Sequence, residues 1–381
     1  MKKLFTLIVI LAFVAVSCCK FHKPKKSTDP KEDPQEQQDP EPEPEPDPEP
    51  EPDPDPDPYP EPEANTVEYP LTIKTLYDNT YVTISYEGWD DDDEYNDWNI
   101  SIDGGKTWTA PDEWALEDYN NISNFLVPKA GTKVLVKGNQ GETKRCSIVF
   151  NEDCQVFGNV MSIIYWDDFS SRTELTKEYA FENLFNDNYH LVNHPTLDIL
   201  LPATTITEGA YAYMFYGCTK LERAPELPAV NVPDHCYHSM FDNCESLIKT
   251  PTVLPAENVA SHAYLSMFNA CSSIKEGPEI MAKTTGINSM GYMFYDCISL
   301  EKAPVLRMQV VSNTCFGHMF AGCTNLQYIK CLATDISATN CTMGWTHRVA
   351  STGTFVKAKG MNKWTTGKDG IPAGWTVLEE E

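Results

Sequence analysis

From Tyr211 to Leu326, apolar side chains recur five times at i, i+3, i+4, i+7 and i+10. The sets run Tyr211/Met214/Phe215/Cys218/Leu221, Tyr237/Met240/Phe241/Cys244/Leu247 and Tyr264/Met267/Phe268/Cys271/Ile274, then Met290/Met293/Phe294/Cys297/Leu300 and Phe316/Met319/Phe320/Cys323/Leu326. That spacing draws one stripe along a 3.6-residue helix, so it predicts a helix of about two turns in each set. The cysteines of the stripe stand 26, 27, 26 and 26 residues apart. A fixed period of this size marks a solenoid, whose short units bury their apolar faces only by stacking on each other. A degenerate copy, Phe181/Leu184/Phe185/Asn188/Leu191, lies 30 residues upstream and brings the count to six units within 171–345.

Each predicted helix is followed by an extended piece containing proline, such as Leu221-Glu-Arg-Ala-Pro-Glu-Leu227 or Leu300-Glu-Lys-Ala-Pro-Val-Leu306. Proline has no backbone donor, so these pieces suit short edges and bends better than central strands. The expected cross-section is a small β-ladder on one side and short helices on the other, held by stacking because helices this short are marginal alone. One cysteine per unit at an inward position reads as a small hydrophobe rather than a metal or redox chain. Outward residues of the extended pieces are the candidate ligand contacts: Glu222, Arg223, Lys249, Lys275, Glu276, Glu301 and Lys302. Their signs are mixed, so they specify no single-charge target.

The Met214-Phe215, Cys218 and Leu221 elements, with Leu227-Pro228-Ala229 and its repeat at Leu254-Pro255-Ala256, resemble the BspA-type leucine-rich-repeat surface lipoproteins of Bacteroides-like bacteria. The resemblance covers roughly residues 175–345. It implies an α/β leucine-rich-repeat-type solenoid and a role in adhesion or host interaction rather than catalysis. Asn188 replaces the cysteine in the first unit, and Leu-Pro-Ala is missing from the last two. Residues 346–381, with Thr352–Lys357 and Gly370–Val377, resemble the ending common in that family. A terminal cap must cover the last unit's apolar edge, and Trp364 and Trp375 are the expected plugs.

Between residues 65 and 170 the pattern changes to short alternating runs separated by turn residues. Tyr69–Leu76, Tyr81–Tyr86, Trp98–Ile102, Lys133–Lys137 and Cys146–Phe150 read as strands, with turns at Asp103–Gly105 and Lys129–Gly131. About seven strands in a hundred residues predict a small β-sandwich. Ser101-Ile-Asp-Gly-Gly-Lys-Thr-Trp108 fits the Asp-box pattern of sialidase-type propellers. It occurs once, without an arginine cluster (Arg145 is the clearest), and the box is a structural hairpin even in those enzymes. Asp90, Asp91, Asp92, Asp93 and Asp97 form a dense carboxylate run that is either a Ca²⁺ site or simply solvated. Trp89, Trp98, Trp108 and Trp114 are either a carbohydrate-stacking platform or sandwich core. His190/His194 and His235/His238 have metal-like spacing but no third ligand, and His262 repeats the His235 position.

The first residues read Met1-Lys2-Lys3, an apolar run from Leu4 to Val16, then Ser17-Cys18. This is a secretory signal over 1–17, too short to span a membrane. Ala15-Val16-Ser17-Cys18 looks like a bacterial lipoprotein cleavage box, making Cys18 the acylated residue; ordinary cleavage or use of Cys19 is the alternative. Residues 18–64 then form a tether whose Asp39–Glu63 part alternates Pro with Glu or Asp. Such a run is extended and self-repelling, reaching on the order of 75 Å at about 3.1 Å per residue.

The chain of 381 residues has a net charge of −27, and residues 27–63 hold 16 acidic side chains against Lys31 alone. The folded remainder is mildly acidic and has no basic patch, which argues against a nucleic-acid partner. Of 13 cysteines, Cys236 and Cys315 share a repeat position and look like core filler, while Cys331/Cys341 and Cys146/Cys154 are candidate pairs.

The expectation is therefore a non-catalytic outer-membrane lipoprotein, surface-exposed, that binds a host protein or glycan and touches the membrane through its lipid. No cofactor is expected apart from Ca²⁺ at the aspartate run. A structural spacer without a ligand and an Asp-box glycosidase are the competing readings.

Overall fold

A computed structural model describes residues 64–86, 98–110, 122–138 and 146–381. Seven strands precede the repeats: β1 (Thr72–Thr75), β2 (Thr80–Tyr86), β3 (Trp98–Ser101), β4 (Ile122–Val127), β5 (Lys133–Gly138), β6 (Cys146–Phe150) and β7 (Cys154–Asn159). They pair antiparallel in two sheets, one ordered β4-β2-β6 and the other β3-β5-β1-β7. Alternation sets the inward face, with Val82 and Ile84 on β2 and Val134 and Val136 on β5 all buried.

The second sheet does not stop at β7. It continues by parallel pairing to β8 (Leu191–Asn193) and β9 (Ile199–Leu200), both in the first repeat unit. Gly158 makes the crossing possible: it has φ 92°, and a Cβ there would lie 2.2 Å from the Pro70 carbonyl oxygen. One continuous apolar core runs from the module into the repeats.

The expected helices are not formed. Among the described residues the one α-helix is α1 (Ser162–Tyr165), outside the repeats. Each apolar stripe is instead a chain of tight turns in which every fourth residue is left-handed. In one unit these are Gly209, Tyr213 and Gly217, and in the next His235, Ser239 and Asn243. A left-handed residue every four positions breaks an α-helix before it can propagate.

Amide donors alternate accordingly. Ala212, Met214, Tyr216 and Cys218 donate three residues back, to Gly209, Tyr211, Tyr213 and Phe215. Tyr211, Tyr213, Phe215 and Gly217 donate to carbonyls of the next coil, at Cys236, His238, Met240 and Asp242. Two of every four side chains still face inward, which reproduces the i, i+3, i+4, i+7 spacing without a helix.

The fold is thus a β-solenoid of about six turns, almost all strand and turn. The left-handed pattern recurs at Asn340, Gly344 and Arg348, so turn segments stack as far as Arg348. The extended pieces pair in two short parallel ladders. One joins β10 (Asn231–Val232), β12 (Asn258–Val259) and β14 (Thr284–Thr285), and the other joins β11 (Val253–Leu254) to β13 (Glu279–Ile280).

Identical side chains align in layers. Phe185, Phe215, Phe241, Phe268, Phe294 and Phe320 form one column with ring centroids 5.4–5.9 Å apart, and Tyr211, Tyr237 and Tyr264 form another. The five stripe cysteines are fully buried and free. Each thiol donates to the phenylalanine carbonyl of the preceding coil, as Cys218 Sγ does to Phe185 O at 3.1 Å and Cys323 Sγ to Phe294 O at 2.9 Å. The position therefore asks for a small apolar side chain that also carries a donor. Asn188 replaces cysteine where the donor must reach out of the stack, and its Nδ2 meets Ile148 O at 2.9 Å.

Cys331 and Cys341 are both buried and free, so their candidate pairing is not formed; Cys341 Sγ donates instead to Ile336 O. Cys154 is free as well, while the Cys146 side chain lies outside the described residues. At the C-terminal end, β15 (Tyr328–Cys331), β16 (Thr354–Lys357) and β17 (Thr376–Glu379) form a parallel sheet. The fully buried plug there is Trp345, stacked between Phe316 and Trp364 and donating to Gly370 O. Trp364 is half-buried, and Trp375 covers the edge, bonded to Ala350 O.

Candidate functional site

The in-register stack brings the seven predicted contact residues to one side of the solenoid. Arg223 bridges to Lys249 of the next coil, Glu276 to Lys302 and Lys302 to Tyr328, all parallel. Glu222, Lys249, Lys275, Glu276, Glu301 and Lys302 are exposed there, and Arg223 is half-buried. Two depressions open on this side. One, of about 220 Å³, is lined by Arg223, Lys249, Glu226, Asp198 and the prolines Pro202, Pro225 and Pro228. The other, of about 230 Å³, is lined by Glu276, Lys302, Glu279, Arg307, Pro278 and Pro304. Proline supplies the walls because its ring leaves no amide to solvate.

Much of the charge is already engaged. The Arg223 guanidinium donates to Asp198 Oδ1 at 3.1 Å and to His194 O at 2.7 Å. Lys275 sits 3.7 Å from Glu301, Arg307 3.0 Å from Glu279 and Lys283 2.6 Å from Glu257. Exposed pairs like these stabilise by at most about 1 kcal/mol, so they yield easily to a competing partner. Arg307, Glu279 and Glu226 share the depressions yet escape a reading confined to the residues just after each stripe. They stand five to seven residues past the last stripe position, and the coil geometry brings them back.

The other constellations resolve into structural roles. In the Asp box, Asp103 accepts from Ser101 Oγ at 2.7 Å, Thr107 N at 3.0 Å and Thr107 Oγ1 at 2.7 Å, while Trp108 Nε1 donates to Gly105 O. Partial burial works to raise the Asp103 pKa, but the Thr107 and Ser101 donors outweigh it and hold the group at about 2. Its carboxylate is therefore committed to the turn. Behind it, the buried Lys137 ammonium lies 5.0 Å from the Trp108 ring and 2.8 Å from Asp167.

His190 Nδ1 contacts Asp153 at 2.8 Å, and His194 Nδ1 accepts from Leu197 N at 3.2 Å. His235 and His262 stack face to face at 4.8 Å, with His238 5.9 Å from His235. Burial, reinforced by those two neighbours, lowers the His238 pKa to about 4, so the ring is neutral at neutral pH. Among the described residues no three metal-ligating side chains converge. Cys18, the aspartates Asp90, Asp91, Asp92, Asp93 and Asp97, and Trp89, Trp114 and Arg145 lie outside the described residues. No helix among the described residues is long and apolar enough to cross a membrane.

Comparison with protein-family models, curated proteins and solved structures finds no match to this chain.

Proposed function

We propose that the chain is a non-catalytic binding protein of the cell envelope, held by a lipid on Cys18 and engaging a host protein or glycan through its repeat surface. The carrying observation is the alignment of Arg223, Lys249, Glu276 and Lys302 around two proline-walled depressions on one side of a rigid stack. A surface of charged rims and apolar walls suits association better than chemistry, since interfaces draw affinity from desolvated walls and orientation from rim charges. On this reading the repeats belong with the BspA-type surface proteins, residues 65–170 form a sandwich-type module, and the tether and lipid place the folded part at the outer-membrane surface. Calcium at the aspartate run would be accessory.

The competing reading, a spacer without a ligand, draws on the self-paired charges Arg223–Asp198, Arg307–Glu279 and Lys275–Glu301. An array of glycans and matrix proteins probed with the full chain separates the two. Retention of one ligand class, weakened by Arg223→Glu or Lys302→Glu, supports binding. A correctly folded chain that retains nothing supports the spacer.

A further inference from the structure

The opposite, turn-built side of the solenoid carries a second arrangement that repeat spacing alone does not suggest. Two positions of each turn segment form adjacent columns, fixed by the coil-to-coil bonds Tyr213 N to His238 O, Ser239 N to Leu265 O, Ser266 N to Gly291 O and Tyr292 N to Gly317 O. Read down the stack, the column pair is Tyr213/Tyr216, Ser239/Asp242, Ser266/Asn269 and Tyr292/Tyr295. Two tyrosine pairs therefore bracket two coils of small polar side chains.

Both tyrosine pairs are built alike. Tyr213 and Tyr216 have ring centroids 6.1 Å apart, and Tyr292 and Tyr295 5.6 Å apart. Each pair packs against a histidine of the following coil, but on different sides. His238, on the Ser239 coil, lies 4.8 Å from Tyr213 and forms part of that wall of the recess, whereas His318 backs Tyr292 from outside it at 4.9 Å. Tyr292 is 38% exposed, and the other three tyrosines are partly exposed, while Ser239 and Asp242 are buried and form the floor. With coils about 4.8 Å apart, the walls stand about 14 Å from each other, room for one or two sugar rings.

The floor is a hydrogen-bonded set. Asp242 Oδ1 accepts from Asn269 Nδ2 at 2.9 Å and from Asn243 Nδ2 at 3.0 Å, and Ser239 Oγ reaches Oδ2 at 3.4 Å. These contacts aim both side-chain amide nitrogens at one carboxylate, which leaves the side-chain Oδ1 atoms of Asn243 and Asn269 as the acceptors not used in this set. Preset acceptors between rigid aromatic walls suit a ligand with many hydroxyl donors and C–H faces. No lysine or arginine belongs to the set, so the chemistry favours an uncharged ligand.

We propose that the recess between Tyr213/Tyr216 and Tyr292/Tyr295 binds a neutral oligosaccharide, its ring faces packed on the tyrosines and its hydroxyls donating to Asn243 and Asn269. This rests only on the general reading that the repeat surface binds a ligand; it assigns a glycan to the turn side and leaves the Arg223 and Lys302 side to a protein ligand.

The test is binding of the full chain to immobilised neutral tetrasaccharides ending in N-acetylglucosamine, galactose or mannose, followed by titration calorimetry with the retained one. Tyr213→Ala and Tyr292→Ala should each weaken binding about tenfold or more, as central aromatic contacts do. Ser266→Tyr, which copies the side chain present in the same column at Tyr213 and Tyr292, should abolish binding while leaving the circular dichroism spectrum and thermal midpoint in place. Arg223→Glu and Lys302→Glu should leave it unchanged. Binding that survives Ser266→Tyr, or that is lost only with Arg223→Glu or Lys302→Glu, overturns the turn-side site and keeps the general binding reading. Retention of a matrix protein but no tetrasaccharide also overturns it, again sparing that reading. Retention of nothing at all removes both.

Discussion

The strands before Asn159 and the coils after it hold together by opposite means. In the first region, partners are antiparallel neighbours, and register follows from alternation, as in Ile73 against Val134 and Val82 against Phe125. A slip by one residue would turn each buried face outward. In the second, partners across the regular coils lie 25 to 27 residues apart and parallel, and register follows from like stacking on like, phenylalanine on phenylalanine and thiol on carbonyl. A coil has no core of its own, so its stability is a nearest-neighbour quantity. The two regions should therefore fail differently when damaged.

The hardest test is at mid-stack. Phe268→Ala removes a fully buried ring between Phe241 and Phe294 and should cost about 3–5 kcal/mol. Hydrogen exchange should show amides of the adjoining coils losing protection while β1 and β2 keep theirs. Uniform loss across both regions would mean that they unfold as one and that the contrast is only geometric.

Trp345→Ala should cost somewhat less, about 3 kcal/mol, because the end of the stack can relax. Exchange should then begin at β15–β17 and the last turn segment, with the antiparallel strands unaffected. Next comes Cys271→Ala, which deletes a donor to Phe241 O and leaves a small void, at about 1–2 kcal/mol. Burial also pushes the Cys271 thiol well above its usual pKa. A thiol reagent should consequently leave it unmodified in the native chain and label it only at the rate of unfolding. Rapid labelling without denaturant would contradict the stacked arrangement.

The smallest effect concerns Asp242, whose pKa burial raises to about 6 against the opposing donors of Asn269 and Ser239. A carboxyl that ionises later in the folded state than in the unfolded one stabilises most below pH 4, and that contribution disappears as pH rises through 6. His238 has its own window: with a folded pKa of about 4, its contribution is present above pH 6.5 and lost as pH falls through 4. Asp242→Asn should therefore raise the thermal midpoint at pH 7 by about 2 °C and do little at pH 4. An equal shift at both values would show that burial does not control the group.

The legibility of the chain divides along the same line. Four of the seven antiparallel strands are legible in the sequence, since β2, β3, β5 and β6 lie within a residue of the alternating runs, whereas β4 and β7 carry no such run. So are the stripe, its period and its buried cysteines. The stripe does not determine the backbone conformation, because two inward positions in every four give the same spacing whether the backbone is a helix or a run of tight turns. A discriminating signal was present in Gly209 and Gly217, Asn288 and Asp296, or Asn340 and Gly344. Residues tolerant of left-handed φ recur there four or eight positions apart. Trp345, rather than Trp364 or Trp375, is the fully buried plug because stacking on Phe316 decides which tryptophan lies within the column.

The one-dimensional pattern settled which stripe side chains are inward and the period at which they recur, since burial and period are properties of neighbours along the chain. It did not show that a further turn segment, Asn340 to Arg348, joins the stack or that the β7 sheet runs on into the first repeat unit. It could not settle how the backbone satisfies its amides, because half of those in each turn segment bond to residues a whole coil away. Nor could it settle which polar residues meet across coils: Asp242 with Asn269, Arg307 with Glu279, and the two tyrosine pairs around their recess are brought together by register alone.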